Sequence, residues 1–191
     1  MNSKKTLFLI EVAIFAALAL VLDIIPLSFK IWAQGGSISF AMIPIFIVAF
    51  RWGIKGGLLA GLIWGALQIP FGAWIMHPVQ GFLDYIVAFT VLGFAGVFAK
   101  QIKEALKEGQ TKTYLTYITF GIIIGSMLRF AAHFVAGVVF FAEYMPPEFT
   151  NIWVYSLIYN ISYIVPSIIL CTVVVFFLFN KQPKALLSTA A

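Results

Sequence analysis

Three ionisable side chains, Asp84, Arg129 and His133, stand inside segments that are otherwise apolar. Charged groups at membrane depth are costly, so they mark either a functional site or a satisfied pair. If both segments are helices, Asp84 lies about 9 Å from Pro78, just before its span begins, and His133 lies about 12 Å from Phe141, where its span ends. The two side chains can therefore lie at the same depth in the membrane. Arg129 would lie one turn deeper than His133, on nearly the same face. We therefore expect an Asp84–Arg129 ion pair that joins two helices, or a polar ligand cavity that includes it.

Aromatic side chains crowd the same level of the chain. A carboxylate surrounded by rings suits an organic cation, because each ring adds roughly 0.5–2 kcal/mol of cation–π attraction when desolvated. Asn160 and His133 can read the polar edge of a heterocycle. Aromatic belts at the membrane interface account for many of the rings without any ligand. The rings considered are Trp32, Trp74, Tyr85, Phe140, Phe141, Tyr144, Trp153, Tyr155 and Tyr159.

Tyr155 and Asn160 raise a geometric question. They are five residues apart, which is about 140° around a regular helix. We expect both to face one cavity only if Tyr155 lies at a frayed helix start.

No enzyme signature is found in the sequence. The phosphate-binding pattern G-x-x-x-x-G-K-[ST] and the hydrolase patterns H-E-x-x-H and G-x-S-x-G are absent, which argues against an ATPase or hydrolase site. Ser126 and His133 are seven residues apart, about 10 Å along a helix, which is too far for a dyad. Cys171 is the single cysteine, so neither a disulfide nor a cysteine metal site is expected. We predict no catalytic residue, no metal and no cofactor.

The amino-acid composition indicates that the segments containing these residues lie in a membrane. Of the 191 residues, 62% are hydrophobic and 10% are charged, whereas soluble domains average about 45–50% and about 25%. Spanning segments in lipid must satisfy their own backbone hydrogen bonds, so we predict helices. The first apolar run is long enough to span, and we interpret it as a helix rather than a cleaved signal peptide. The prediction is an all-α integral membrane protein, a single transmembrane domain over 1–191, with six spans at 7–25, 38–50, 56–69, 79–99, 114–141 and 152–179.

The distribution of charge predicts the orientation. Ten of the 12 basic residues fall on one side of these spans. Basic residues favour the cytoplasmic side, which places both termini inside. The net charge of +5 then reflects topology and contact with membrane lipid, not nucleic acid. The ten residues are Lys4, Lys5, Arg51, Lys55, Lys100, Lys103, Lys107, Lys112, Lys181 and Lys184.

Small residues recur at helical spacing. Gly53, Gly57, Gly61 and Gly65 are four residues apart, a row that lets a neighbouring helix approach closely. We expect this row to pack within the protein. Ala13 and Ala17 can serve the same purpose or form a docking face for a partner. The segment 34–37 contains two adjacent glycines, which suits either a mobile lid or an ordinary loop.

Six segments together resemble the thiamine-specific substrate-binding (S) components of energy-coupling factor (ECF) vitamin transporters. Their order and spacing over nearly the whole chain carry the resemblance. The segments are EVAIFAA at 11–17, IPI at 43–45, RWGIKGGL at 51–58, PVQGFLDY at 78–85, RFAAHFVAG at 129–137 and YSLIYN at 155–160.

The resemblance implies an S-component-like bundle in the bacterial plasma membrane. Such a protein captures thiamine outside and docks on a membrane-embedded T component that two ATPase subunits drive. Ala13 and Ala17 match the docking motif A-x-x-x-A, and Asp84 matches the acid that faces the thiazolium. Trp74 and Phe141 keep an aromatic face where relatives carry another ring, and Trp32 lies near a lid-loop tryptophan. The other matching pocket positions are Tyr85, His133, Gly137, Tyr155 and Asn160.

Three other functions remain as alternatives. The first is an S component for another vitamin, such as riboflavin. The second is a solitary secondary transporter, coupled to protons through His133 and Asp84. A membrane enzyme is the least supported, because no nucleophile lies beside a base. Identification of the bound ligand separates the first alternative from thiamine, and uptake by the isolated protein tests the second.

Overall fold

Helices make up nearly all of the fold. The structure, a computed structural model, describes residues 3–24, 29–32 and 35–182. Five helical segments in this part of the chain are long and apolar enough to span a membrane. This confirms an almost all-helical integral membrane fold. The segments are α1 (Ser3–Ile24), α2 with a closing 3₁₀ turn (Met42–Gln68 and Ile69–Phe71), α3 (Pro78–Lys107), α4 (Thr111–Phe140) and α5 (Ile152–Lys181).

The helix α2 contains two of the six predicted spans and reverses direction between them. Gly53 has φ 72° and ψ −168°, a conformation that glycine adopts without steric cost. Beyond this turn, a Cβ on Gly57 would lie 2.7 Å from the Cβ of Ala49. Eight residues of straight helix would instead separate these positions by about 12 Å. Residues 42–52 and 54–68 therefore form two packed halves.

The glycine row of the second half packs against α3. A Cβ on Gly57 would lie 2.6 Å from the Cα of Gly93, and one on Gly61 or Gly65 would collide with a backbone carbonyl of α3. Only a hydrogen at these positions allows the two backbones to touch. The prediction that the row packs inside the protein is confirmed for Gly57, Gly61 and Gly65, whereas a Cβ on Gly53 would meet nothing within 4 Å.

The opposite side of α3 receives α4. A Cβ on Gly121 would lie 2.7 Å from the carbonyl oxygen of Ala95, and one on Gly125 would lie 2.7 Å from that of Leu92. Close packing from both sides places α3 at the centre of the bundle.

The geometry of α3 changes along its length. An α-helical turn at Pro78–Gly81 widens into a π-helix at Phe82–Val87 and returns to α geometry at Ala88–Thr90. A 3₁₀ stretch at Val91–Phe98 follows, and the helix ends as Ala99–Lys107. π-Helical turns occur frequently at functional sites. Here the π-turn carries Asp84 and Tyr85.

A short β-hairpin joins α1 to α2, which the all-helical prediction missed. The strands β1 (Phe29–Trp32) and β2 (Gly35–Ile38) pair antiparallel. Gly36 has φ 69°, and a Cβ there would lie 2.8 Å from Cδ1 of Tyr163. The hairpin therefore rests on α5.

A polar cluster ties α1 to the turn of α2. The Glu11 carboxylate accepts hydrogen bonds from Arg51 Nε at 2.8 Å, Arg51 Nη2 at 2.6 Å and Trp52 Nε1 at 2.7 Å. Lys103 Nζ donates to the backbone carbonyl of Arg51 at 2.5 Å, which adds the end of α3. The two hydrogen bonds between the Arg51 guanidinium and the Glu11 carboxylate fix the geometry of this ion pair, whose side chains are mostly buried. It holds the end of α1 that carries the N-terminus.

Candidate functional site

A cavity of about 210 Å³ lies beneath the hairpin. The two halves of α2, the π-turn of α3, the end of α4 and the start of α5 form its walls. Of the nine predicted binding residues, eight line it: Trp74, Asp84, Tyr85, His133, Gly137, Phe141, Tyr155 and Asn160. Trp32 is in β1, and its side chain lies outside the described residues. The structure therefore brings together every predicted binding side chain that it describes.

Asp84, His133 and Arg129 form a hydrogen-bonded chain. His133 Nδ1 lies 2.8 Å from Asp84 Oδ1, and Arg129 Nε donates to His133 Nε2 at 3.3 Å. Because Nε2 accepts, Nδ1 carries the proton and donates to Asp84. The contact between Asp84 and His133 agrees with the depth predicted for these two residues. The direct Asp84–Arg129 ion pair is wrong, since the imidazole lies between carboxylate and guanidinium.

The Arg129 guanidinium lies over aromatic rings instead. Its central carbon is 4.4 Å from the ring centre of Phe89 and 5.5 Å from that of Trp64. A planar, weakly hydrated cation is well suited to such a position. The cation is therefore stabilised by ring faces, and the carboxylate stays directed at the cavity.

Gln80 is a site residue that the sequence reasoning missed. Its Nε2 donates to Asp84 Oδ2 at 2.7 Å and to the carbonyl of Trp74 at 3.2 Å, while its Oε1 accepts from the backbone of Met76 at 3.1 Å. Tyr85 Oη accepts from the backbone of Trp74 at 2.8 Å. These bonds fasten the loop before α3 to the carboxylate. The spacing of four residues between Gln80 and Asp84 was the available signal.

Two groups of rings face the cavity from opposite sides. Trp74 packs edge-on against Phe141 at 5.9 Å and against Tyr144 at 4.9 Å between ring centres. Along α5, the rings of Tyr155, Tyr159 and Tyr163 follow one another at 5.8 Å. Tyr155 and Tyr159 were among the rings expected at the site. Tyr163 was not, although this residue continues the same four-residue spacing.

Asn160 is buried and already bonded within α5. Its Nδ2 donates to the carbonyl of Ser156 at 2.8 Å, and its Oδ1 accepts from Tyr163 Oη at 2.6 Å. Nδ2 also donates to Ser156 Oγ at 3.4 Å, so one acceptor site of Oδ1 stays open to a ligand. Gly137 serves packing at this level, because a Cβ there would collide with Ser156 Oγ.

Tyr155 reaches the cavity from a regular part of α5, so the frayed helix start that we expected is wrong. The helix begins at Ile152, Asn151 caps it, and the backbone of Tyr155 donates to Asn151 at 3.0 Å. Both Tyr155 and Asn160 are almost fully buried. The cavity surrounds a wide face of the helix, wide enough to include positions about 140° apart.

A second carboxylate, Asp23, also lines the cavity. It accepts from Gln68 Nε2 at 2.5 Å, which joins the C-terminal end of α1 to the end of α2. Asp23 was not among the predicted site residues. Its place in the wall depends on the turn at Gly53, which brings residue 68 back beside α1.

Ala13 and Ala17 lie on the opposite face of α1. Val12, Ala16, Ala19 and Leu20 are buried against the bundle, whereas Ala13 and Ala17 are exposed together with several large apolar side chains. The structure thus leaves the predicted docking stripe uncovered.

The chemistry of the site is that of binding. Among the described residues, no three His, Cys, Asp or Glu side chains are grouped so that they could hold a metal ion. The Asp84 carboxylate, directed at a ring-lined cavity, suits a flat organic cation.

Comparison with known sequences identifies the family. The family described as thiamine transporter protein (Thia_YuaJ) matches residues 9–187. A protein named thiamine transporter ThiT from Bacillus subtilis (strain 168) is 45% identical over 191 residues, covering 100% of this chain and 99% of the relative. A protein of the same name from Lacticaseibacillus paracasei is 35% identical over 185 residues, covering 95% of this chain and 90% of the relative.

Solved structures agree with this relationship. A structure titled as native-SAD phasing for ThiT from Listeria monocytogenes superposes with a TM-score of 0.89 at 34% identity, over 96% of this chain and 99% of that one. A structure described as the S component of a bacterial ECF transporter has a TM-score of 0.61 at 17% identity with the same coverage, which supports the fold alone. The multi-pass membrane protein described here belongs to the thiamine transporter family.

Proposed function

We propose that this protein captures thiamine at the outer face of the bacterial plasma membrane, as the substrate-binding subunit of an ATP-driven ECF transporter. The family to which it belongs is described as thiamine transporter protein, and two relatives named thiamine transporter ThiT match nearly its full length. The chain has no ATPase motif, so it is a transport subunit that depends on partners for energy.

The observation that carries the proposal is the Asp84 carboxylate in an aromatic cavity. Thiamine joins a permanently positive thiazolium to a flat aminopyrimidine. Asp84 supplies the opposite charge, and rings contributed by α3, α4 and α5 supply stacking surfaces. In a site shielded from water, Coulomb attraction is stronger than in bulk solvent. A neutral heterocycle would gain much less from this arrangement.

Each binding residue has a proposed role. Asp84 faces the thiazolium, and His133 and Asn160 contact polar edges of the ligand. Gly137 provides space beside Asn160. The remaining members, Trp32, Trp74, Tyr85, Phe141 and Tyr155, provide aromatic faces, with Trp32 acting from the hairpin as part of a lid.

We further propose six membrane crossings with both termini in the cytoplasm. The two halves of α2 would cross separately, which the turn at Gly53 and the contact between Ala49 and Gly57 support. Ten of the 12 basic residues would then lie inside. The cavity would open to the outside.

The proposed partners are an ECF T component and two ATPase subunits. Ala13 and Ala17 would dock the T component, because small residues let a second helix approach closely. Their exposure on α1 supports this role.

The central test is thiamine binding by the purified full-length protein. Thiamine should quench tryptophan fluorescence, because Trp74 and Trp64 line the cavity. Asp84→Asn should weaken binding about tenfold or more through loss of a buried charge contact. Glu143→Gln removes an exposed carboxylate outside the cavity lining and should bind like wild type.

Three results would each overturn part of the proposal. Unchanged affinity in Asp84→Asn would remove the carboxylate from recognition. A flavin or another vitamin found by mass spectrometry in the purified protein, with no thiamine binding, would change the substrate. Uptake by the protein alone, driven by a pH gradient in vesicles, would replace the ECF partnership with proton coupling.

A further inference from the structure

Two buried N–H donors beside the cavity have no acceptor among the described residues. They are Trp64 Nε1 and Arg129 Nη1, and both residues line the cavity. Trp64 is 1% exposed. Nearly all buried donors in proteins have an acceptor, so two orphans in one cavity require an explanation.

The fold brings these donors to the same level. Trp64 lies one helical turn before Gln68 on the second half of α2, and Arg129 lies one turn before His133 on α4. The guanidinium carbon is 5.5 Å from the centre of the Trp64 ring. Both donors thus lie one turn deeper than the Asp23 and Asp84 carboxylates, whose described partners are Gln68, Gln80 and His133.

Other bonds of Arg129 restrict where Nη1 can turn. Its Nε donates to His133, and its plane lies over the Phe89 ring. A guanidinium has its five N–H groups in a rigid fork, so fixing Nε and the plane fixes Nη1 as well. Among the described residues, no carboxylate forms an ion pair with it. The unpaired donor is therefore a stable property of this arrangement.

We propose that Trp64 Nε1 and Arg129 Nη1 form an acceptor subsite, which binds a hydrogen-bond acceptor at the inner end of thiamine. This inference rests on the proposed function and adds a second point of contact for the ligand beside the carboxylate. The cavity then has two poles: carboxylate oxygens at the outer level and N–H donors at the floor. The cationic ring lies at the first pole and an uncharged acceptor at the second.

Thiamine offers two kinds of acceptor. A ring nitrogen of the aminopyrimidine lies on one side of the thiazolium, and the hydroxyl oxygen of the hydroxyethyl group lies on the other. Both accept a hydrogen bond from N–H. The shared chemistry is a neutral acceptor, and matched analogues identify the atom.

The test uses Trp64→Phe, which removes the donor and keeps an aromatic ring. Calorimetric titration of the purified full chain should show thiamine binding weakened by about 2- to 10-fold, the net effect of one neutral hydrogen bond. Trp153→Phe is the matched control, because Trp153 is exposed and is not part of the cavity lining. It should bind like wild type.

Analogues separate a ligand contact from a change in packing. One analogue carries ethyl in place of hydroxyethyl, and the other carries carbon in place of a pyrimidine nitrogen. The loss caused by Trp64→Phe should disappear for one of them and persist for the other. Arg129→Lys, which keeps the charge but not the fork, should show the same selectivity.

Two outcomes overturn the subsite. One is wild-type affinity in Trp64→Phe, which would mean that water alone occupies the donors. The other is an equal loss for thiamine and both analogues, which would indicate altered packing. Failure of the proposed function is distinct, because in that case wild-type protein itself does not bind thiamine.

Discussion

At the scale of single residues, neutral donors hold Asp84 without cancelling its charge. His133 Nδ1 and Gln80 Nε2 each donate to one carboxylate oxygen. The nearest guanidinium, that of Arg129, is kept away by the imidazole. The carboxylate is thus oriented in advance, and its Coulomb attraction remains available to a cationic ligand. A direct ion pair would have reduced that attraction.

Gln80 should therefore be a positioning residue for thiamine binding. Gln80→Leu removes a hydrogen bond to a charged group, worth about 1.5–3 kcal/mol, and releases the backbone of Trp74 and Met76. We expect thiamine affinity, measured by titration of the purified protein, to fall about tenfold or more. Gln110→Leu, in the exposed turn between α3 and α4, is the control. Equal affinity in both variants would contradict the role of Gln80.

A site residue could be predicted from the sequence when its polarity differs from that of the residues around it. Asp84, Arg129 and His133 stand out because charge is rare in apolar sequence. Their order of contact was not predictable, since side-chain length and rotamers decide whether Arg129 meets Asp84 or His133. Gln80 and Trp64 lack such contrast, because an amide near a helix start and a tryptophan in an apolar run are ordinary. Their roles emerge only from distances.

At the scale of elements, the bundle is organised by backbone contact around α3. Glycines of α2 meet its carbonyls on one side, and glycines of α4 meet them on the other. In lipid, close van der Waals packing replaces the hydrophobic effect as the force between helices. The contact at Gly65 matters most for the site, because it lies against the carbonyl of Tyr85, inside the π-turn that presents Asp84.

Gly65→Ala should consequently weaken both folding and binding. The added methyl would collide with a backbone oxygen, which cannot rotate away as a side chain can, so the helices must separate. Overpacking of this kind typically costs about 1–3 kcal/mol. We expect a lower midpoint of thermal unfolding in detergent and weaker thiamine binding. Ala66→Leu, on the exposed face of the same helix, should change neither, and a Gly65→Ala variant that behaves like it would contradict this packing.

Secondary-structure elements were predictable where hydropathy determines the structure, and they were not predictable where single residues determine it. Long apolar runs required helices, since lipid leaves no other way to satisfy the backbone. The hairpin was missed because strands of four residues beside two glycines give no periodic signal. The predicted spans 38–50 and 56–69 require the chain to reverse between them, but the geometry of that reversal depends on one positive φ at Gly53. The π-turn in α3 has no sequence signature at all.

At the scale of the whole molecule, the proposed binding site and the proposed docking stripe lie on different faces of α1. Its inner face carries Asp23 into the cavity wall, and its outer face exposes Ala13 and Ala17. The Glu11–Arg51 fork at one end and the Asp23–Gln68 bond at the other set the rotation of the helix. The exposed stripe is therefore held in a defined direction. In the proposed transporter, this stripe would connect the protein to the T component.

Ala17→Trp should accordingly separate uptake from binding. An indole on the exposed face of α1 blocks close helix approach, yet it touches neither the cavity nor the buried side of the helix. We expect the purified variant to bind thiamine with wild-type affinity. In vesicles that contain the T component and both ATPases, it should lose nearly all ATP-driven thiamine uptake. Met127→Trp adds the same bulk to an exposed position on α4 and should transport normally. Persistent uptake by Ala17→Trp would exclude α1 as the docking face, and equal loss in both variants would mean that added bulk alone disturbs assembly.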